Sequence, residues 1–449
     1  MRRLRRRERV VLLLIVAAFT TSVAYSIAEH VPFENDETVY AVQSRAWASG
    51  GPVTGIGLQR APLLPAIGTL IYQAGARTEA PFRIAGLVFG IAAVVLVWAL
   101  ARAIAGETAG LFAAAVFASA PSILQRSAQF MTDVPATALL LGLALILWNN
   151  RARAGPGLLL AAPVAAAAFY MRYASILPIA LLVIVALVLW HRTLLQNRAL
   201  AAGTGLLFVA LLIPHVVRAV DATGSPWGLV TYTARFAGRR YIGQGLVRYL
   251  AWLPFALAGP LAGATMLAAV LTGAARSGRR VAFLLVPAVA DIVLIGLTEH
   301  GDARFIFFPV ALLCVAGAIV AVEHIGPKRA LAGAAAVALI GGGVFSAIHT
   351  AGTRKEREPP LLAGRAVAAR ATKPCTVLAA EIAETTWYSG CSTYYFGTHA
   401  ADFAVFYRRG GARLAVQPSA PPTGATESVP VFSRGRLVAT VFRLSRPVQ

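Results

Sequence analysis

Three short acid-bearing segments hold the residue types that could do chemistry in this chain of 449 residues. The first is Phe33-Glu34-Asn35-Asp36-Glu37-Thr38-Val39-Tyr40, the second centres on Asp133, and the third is Thr298-Glu299-His300-Gly301-Asp302-Ala303-Arg304-Phe305. A desolvated carboxylate can take a proton from a hydroxyl as a general base, and basic neighbours tune it. Arg60, Arg83, Arg172 and Arg304 accompany these acids. A guanidinium grips phosphate through two parallel hydrogen bonds. Acids together with arginines therefore point to a phosphate-bearing substrate with a hydroxyl activated beside it. Each residue alone has a plainer account. Val39, Val42, Ala46 and Trp47 fall near one helical stripe, so Asp36 and Glu37 open a helix, where acids are stabilised by free amides. Asp133 also starts a helix, and a single arginine can snorkel to lipid headgroups.

The elements that must position these residues are read from composition. The chain is 58% hydrophobic and 13% charged, where a soluble domain carries nearer a quarter charged residues. Long uncharged runs suit helices crossing a bilayer. Eleven spans are predicted: Val10–Ala28, Ile84–Ala101, Thr108–Leu124, Val134–Trp148, Ala154–Met171, Tyr173–Trp190, Ala199–Val217, Tyr249–Ala275, Val281–Thr298, Phe305–Val322 and Ala330–Ala351. The fifth and sixth are separated only by Arg172. The net charge of +22 does not mark a nucleic-acid binder, because the basic residues lie between apolar spans. Anionic membrane lipids and phosphates are the partners it fits.

Charge asymmetry sets the expected orientation. Arg2, Arg3, Arg5, Arg6, Arg7 and Arg9 place the N-terminus in the cytoplasm. Arg102, Arg151, Arg153, Arg192, Arg198, Arg276, Arg279, Arg280, Lys328 and Arg329 then fall in cytoplasmic loops. All three acid-bearing segments come out on the opposite face. Asp291 is the exception, inside the ninth span, where internal pairing and an ion or proton path are both open readings. The first span reads as an uncleaved anchor.

An odd span count puts the tail from about Gly352 outside as well. Prolines and charges return there, with strand-like runs at Thr376–Ala379, Phe403–Tyr407 and Arg436–Phe442. The fold expected is an all-α polytopic membrane protein of about eleven helices (residues 1–351) with a small extracytoplasmic α/β domain (352–449). Cys375 and Cys391 lie in this tail, in a compartment that permits a disulfide; two free thiols are the alternative. Cys314 sits in an apolar run as a packing residue. No convincing His/Asp set for a metal is seen.

At the same residues the chain resembles the GT-C superfamily of membrane glycosyltransferases, in its branch of protein O-mannosyltransferases and aminoarabinose transferases. Asp36-Glu37 with Tyr40 and Gly50 resembles the acidic motif of the family's first outer loop. Arg60-Ala61-Pro62-Leu63-Leu64-Pro65 resembles its basic-Pro-Pro-Leu segment, with Ala61 where a proline is usual. Pro81-Phe82-Arg83-Ile84, Ala118-Ser119-Ala120-Pro121 with Asp133, and His300-Gly301-Asp302-Ala303-Arg304-Phe305 with Pro309 follow in order. The likeness covers about residues 10–325, and the tail carries no motif of the family.

The resemblance implies a polyprenyl-phosphate sugar as donor, and a protein, lipid or glycan hydroxyl as acceptor. It implies Asp36 as general base, with Glu37 its neighbour in acceptor binding or orientation. Arg60 would hold the donor phosphate and Arg304 would help neutralise the leaving group. Asp133, Arg83, Arg172, His300 and Asp302 would line the acceptor side or support the reacting groups. Some branches require a divalent metal, and that dependence stays open here. Two rival readings also stay open. One is a transporter or flippase for a lipid-linked sugar, which should show internal repeats and broken helices near the bilayer midplane. The other is a non-catalytic membrane anchor whose tail binds a partner.

Overall fold

The computed structural model describes residues 6–51, 60–235, 240–252, 259–276, 278–324, 339–344, 353, 357–396, 400–408 and 421–445. In chain order its helices are α1 (Arg6–Ala28), α2 (Asn35–Ser49), α3 (Leu63–Gln73), α4 (Glu79–Ala105), α5 (Glu107–Ala118), α6 (Pro121–Ser127) and α7 (Asp133–Asn149). There follow α8 (Ala161–Met171), α9 (Ile176–Leu194), α10 (Arg198–Thr223), α11 (Gly228–Arg235), α12 (Gln244–Trp252), α13 (Pro260–Arg276), α14 (Gly278–Thr298) and α15 (Phe307–His324). Past these come α16 (357–368) and α17 (Ile382–Ser389), with strands β1 (Thr376–Leu378), β2 (Ser392–Tyr394), β3 (Phe403–Tyr407), β4 (Ala425–Ser433) and β5 (Arg436–Leu444).

Among the described residues six helices are long and apolar enough to cross a membrane: Glu8–Ala28, Glu79–Ala105, Tyr173–Leu194, Arg198–Thr223, Gly278–Thr298 and Ala303–Glu323. The chain is a multi-pass membrane protein. These six answer the first, second, sixth, seventh, ninth and tenth predicted spans. The third predicted span is instead broken. Pro121 opens a new helix, and α5 and α6 meet at 71°, as expected of a residue that fits the first turn of a helix and not its interior. The fourth is the 17-residue α7, and the fifth is a 3₁₀ turn at Pro156–Leu160 leading into α8. Arg172, in extended backbone at φ −156° and ψ 115°, ends α8. The eighth predicted span begins in α12 and resumes in α13, its middle lying outside the described residues. The eleventh also lies outside them, apart from a helical stretch at 339–344.

The chain divides into two compact units. The larger holds residues 1–25, 85–128 and 132–347. Its centre is α15, of which 89% of the apolar window is buried, whereas only 6% of the α10 window is. Helices α5, α7, α13 and α14 pack on α15, and α10 turns most of its apolar surface outward. Small residues let the central helices approach. A Cβ on Gly317 would stand 2.2 Å from the Thr265 carbonyl oxygen, so α13 and α15 touch backbone to backbone.

The second unit holds residues 26–84, 129–131 and 348–449. It joins α2, α3 and the first turns of α4 to the tail. The tail carries a five-stranded sheet in the order β2-β1-β3-β5-β4. Strand β1 runs parallel to β2 and β3, while β5 is antiparallel to β3 and β4. The parallel β1–β2 pair needs a crossover, and α17 supplies it. Val377, Phe403, Val405, Tyr407, Ala439 and Val441 form the core. The β2 and β4 strands had no sequence signal strong enough to be predicted. β2 is three residues long, and β4 contains Pro430, which suits only an edge strand.

Candidate active site

In the second unit, helix α2 presents the first acidic segment. Its backbone starts at Asn35 after the extended residue Glu34 and ends at Gly50, whose φ of +65° closes the helix in the left-handed region. Asp36 therefore lies in the first turn, with Tyr40 one turn later on the same face. Arg60 pairs with the Asp36 carboxylate, and its guanidinium lies 5.5 Å from the centre of the Tyr40 ring. The Asp36 and Arg60 side chains keep 16% and 27% of their surface exposed. This ion pair is thus reachable from solvent.

Glu37 has the opposite character. It is completely buried. Arg83 donates to both of its oxygens, Nε to Oε1 and Nη2 to Oε2, each at 3.0 Å. The Phe130 amide donates to Oε1 at 2.9 Å, and the Glu34 amide to Oε2 at 2.9 Å. Arg357, from α16, adds a bond at 3.4 Å and also grips Glu34 at 2.8 Å. Burial pushes the Glu37 carboxyl up, but Arg83, the hydrogen bonds and Arg357 together outweigh it, and the carboxyl ends below its ordinary range. Arg83 spends its remaining donors on the carbonyls of Val31 and Pro32. Both groups are consumed by the fold.

Helix α17 docks on α2 in this unit. Arg45 donates to the carbonyls of Thr386 and Trp387 at 2.9 and 3.1 Å. Trp387 packs against Phe33 and Phe82. The Tyr388 hydroxyl accepts from the Phe33 amide and donates to Glu79, both at 2.9 Å. Cys375 and Cys391, joined in a disulfide, bracket β1 and α17. Glu384, on α17, is 5% exposed. Burial, followed by the neighbouring Glu381, pushes its carboxyl up to about 8.

The larger unit gathers the other acids. Arg172 donates through Nη1 to Asp133 at 2.7 Å and to the Arg304 carbonyl at 3.1 Å. Asp302 pairs with the Arg304 side chain at 3.0 Å and accepts from its amide at 3.2 Å. Both arginines lie over the Phe305 ring. Asp133, Arg172, Asp291 and Arg304 line a small, water-sized cavity of about 30 Å³ whose remaining wall is mostly apolar. Oδ2 of Asp133 and Oδ1 of Asp291 have no hydrogen-bond partner there. His300 stands beside Glu299, at 3.9 Å, and edge-on to Phe305.

The fold thus gathers Asp36, Glu37, Arg60 and Arg83 in one unit, and Asp133, Arg172, Asp302 and Arg304 in the other. Sequence reasoning missed Arg357 and Glu384. Both lie in the tail, where charges are unremarkable in water-soluble sequence and nothing in their spacing singles them out. Among the described residues no three His, Cys, Asp or Glu side chains are arranged to hold a metal ion. The carboxylates that approach one another do so around arginines.

Residues 59–217 match the dolichyl-phosphate-mannose-protein mannosyltransferase family. No curated protein matches the chain by sequence. By fold the chain is similar to ArnT from Cupriavidus metallidurans, solved bound to undecaprenyl phosphate, with a TM-score of 0.73 at 13% identity over 96% of this chain and 97% of that one. It is also similar to the Archaeoglobus fulgidus oligosaccharyltransferase AglB, solved with an inhibitory peptide and a dolichol-phosphate, with a TM-score of 0.60 at 12% identity. That match covers 86% of this chain and 64% of AglB. A further structure of the Archaeoglobus fulgidus enzyme, in complex with Zn and sulfate, gives a TM-score of 0.59 at 13% identity over 85% of this chain and 62% of that one. The family match spans about a third of the chain, and the solved structures show that nearly the whole chain shares the ArnT fold.

Proposed function

We propose that the protein is an inverting glycosyltransferase that moves a sugar from a polyprenyl-phosphate donor to an acceptor hydroxyl on the outer face of the cell membrane. The observation that carries this reading is the solvent-reachable Asp36–Arg60 pair beside a Glu37 whose bonds are all spent on the fold. Undecaprenyl phosphate in ArnT and dolichol-phosphate in AglB support the donor class.

Asp36 takes the proton of the acceptor hydroxyl as its oxygen attacks the anomeric carbon. The bond from that carbon to the phosphate oxygen breaks, the polyprenyl phosphate leaves with the electron pair, and one displacement inverts the centre. Arg60 holds the donor phosphate. In the free protein its charge rests on Asp36, and its transfer to the phosphate frees the carboxylate to act as a base. Glu37 and Arg83 fix the helix that presents Asp36 and do not meet the substrate. Arg304 is assigned to neutralising charge on the leaving phosphate, with Arg172, Asp133, Asp302 and His300 supporting it. The basic N-terminus and basic loops support a cytoplasmic N-terminus and an extracytoplasmic tail.

A transporter or flippase of lipid-linked sugars is the second reading. It is favoured by Asp291, a buried carboxyl in a spanning helix with an oxygen that has no partner. One assay separates the two. Purified wild type and Asp36→Asn, matched in thermal unfolding, are given a panel of labelled polyprenyl-phosphate sugars with membrane extract as acceptor. Wild type is expected to release free polyprenyl phosphate from one donor, and Asp36→Asn to be slower by about a hundredfold, the usual worth of a general base. Equal rates remove the base assignment. No turnover by wild type, with flipping of the same lipids in proteoliposomes, establishes the transporter.

A further inference from the structure

Helices α7, α8, α9 and α10 form a groove of about 370 Å³ that the scheme above does not use. Small residues hollow its floor: Ala162 and Ala165 on α8 and Ala186 on α9, all buried. Its rim is exposed, with Val183, Leu187 and Leu195 turned outward. Thr204 has the one polar side chain in the lining, and its hydroxyl donates to the Leu200 carbonyl at 2.8 Å. Such a wall offers water no partners. Both α9 and α10 are long and apolar enough to span a membrane, so the open side of the groove meets lipid chains. A hydrocarbon chain lying in it recovers the dispersion contacts that an empty groove forfeits.

One end of the groove is basic. Leu195 follows Arg192 by three residues, and Ala201, which also lines the groove, follows Arg198 by three. Residues three apart share a helix face, so each arginine stands one turn beyond the lining, at the mouth. Both are exposed. No Asp or Glu occurs between Asp133 and Asp221, and among the described residues neither arginine has an ion-pair partner. Helix α10 starts at this mouth, and its first amides add a field that favours an anion. The mouth thus fits a phosphate and the groove below it fits a chain.

The depth matches one leaflet. Helix α10 lines the groove only from Ala201 to Phe208, about 10 Å of helix, within half of a hydrocarbon core of about 30 Å. The basic mouth also lies away from the acids of the same unit. Asp133 opens α7, and Leu147, in the groove, is about 21 Å further along that helix.

We propose that this groove binds one chain of an anionic phospholipid of the surrounding membrane, with the lipid phosphate held by Arg192 and Arg198. The leaflet is the one at the basic mouth, which the arginine pattern assigns to the cytoplasmic side. The lipid takes no part in the displacement. It ties α9 and α10 to α7 and α8.

The test is thermal unfolding of the full chain in detergent with dioleoyl phosphatidylglycerol or dioleoyl phosphatidylcholine at equal concentration, together with native mass spectrometry of the lipid retained. In wild type the anionic lipid is expected to raise the midpoint by at least about 3 °C and to be retained as a single copy, and the zwitterionic lipid to do much less. Arg192→Gln with Arg198→Gln is expected to lose the difference between the two lipids. A Cβ on Gly205, which lines the groove, meets nothing within 4 Å. Gly205→Phe is therefore expected to fold as wild type does, to fill the groove and to lose the retained lipid. Arg279→Gln with Arg280→Gln removes the same charge from α14, which lines no part of the groove, and is expected to respond as wild type does. Equal shifts with both lipids overturn the proposal, and so does a full response by either groove variant. Loss of the response in the α14 variant overturns it too, by showing general attraction to a basic surface. Undecaprenyl monophosphate that displaces the retained phosphatidylglycerol from wild type would assign the groove to the donor chain instead.

Discussion

Neighbouring carboxylates on one helical turn have been given opposite fates. Asp36 faces an arginine in partial contact with solvent, and Glu37 faces one in the interior. The chain spells them as an undifferentiated acidic pair; the direction of each side chain around the α2 axis separates them. Removing Arg83 takes the main cation from a buried carboxylate and leaves it two amides and the 3.4 Å contact of Arg357, so Arg83→Leu is expected to destabilise by about 3 kcal/mol, read from thermal unfolding in detergent. The sign of the pH dependence follows from the depressed Glu37 carboxyl. Its contribution is fully present above its ordinary value of about 4.5 and is lost as pH falls through the lower value of the folded state. Glu37→Gln should flatten that acid limb. Glu384 has the opposite sign. Its contribution is full below about 4.5 and is lost as pH rises through about 8. A wild-type stability profile that matches Glu37→Gln in acid would show that the pair is not what holds α2.

At the scale of elements, α17 ties the tail to α2. It has eight residues, too few to be a stable helix alone. Its support is tertiary: the Arg45 clamp, the Trp387 and Tyr388 contacts, and the disulfide around it. A bridge closing a loop of this size typically contributes about 3 kcal/mol by restricting the unfolded chain. Cys375→Ser with Cys391→Ser is expected to lower stability by about that amount and to reduce turnover with it, because α17 abuts the helix that carries Asp36. Unchanged unfolding with full activity would show the clamp suffices alone. The helices had a clear signal where they were long and uniformly apolar, as in α4, α9, α10, α14 and α15. The signal failed where a span was broken. Hydropathy averages over a window and does not register that Pro121 restarts a helix at 71° to α5.

For the whole molecule, the expected topology follows from arginine placement and can be tested without assaying the reaction. A phosphatase that matures only outside the cytoplasm, fused after residue 445, is expected to be active, and a fluorescent protein fused there dark. The reverse pattern would invert the frame and move the proposed site to the cytoplasmic face.

Sequence alone determined the class of environment, because a chain with 13% charged residues has too few for water to be its main solvent. It also supplied the acidic pair, the arginines and the strand signals of β1, β3 and β5, since each of these is written within a few consecutive residues. Tertiary structure alone decided which charges are spent on the fold and which stay reachable. Glu37 meets Arg83, Phe130 and Arg357 across 46, 93 and 320 residues of chain. The tail therefore shares a compact unit with the first acidic segment. Pairings over such separations depend on how the helices pack, and hydropathy, periodicity and spacing describe only neighbours along the chain.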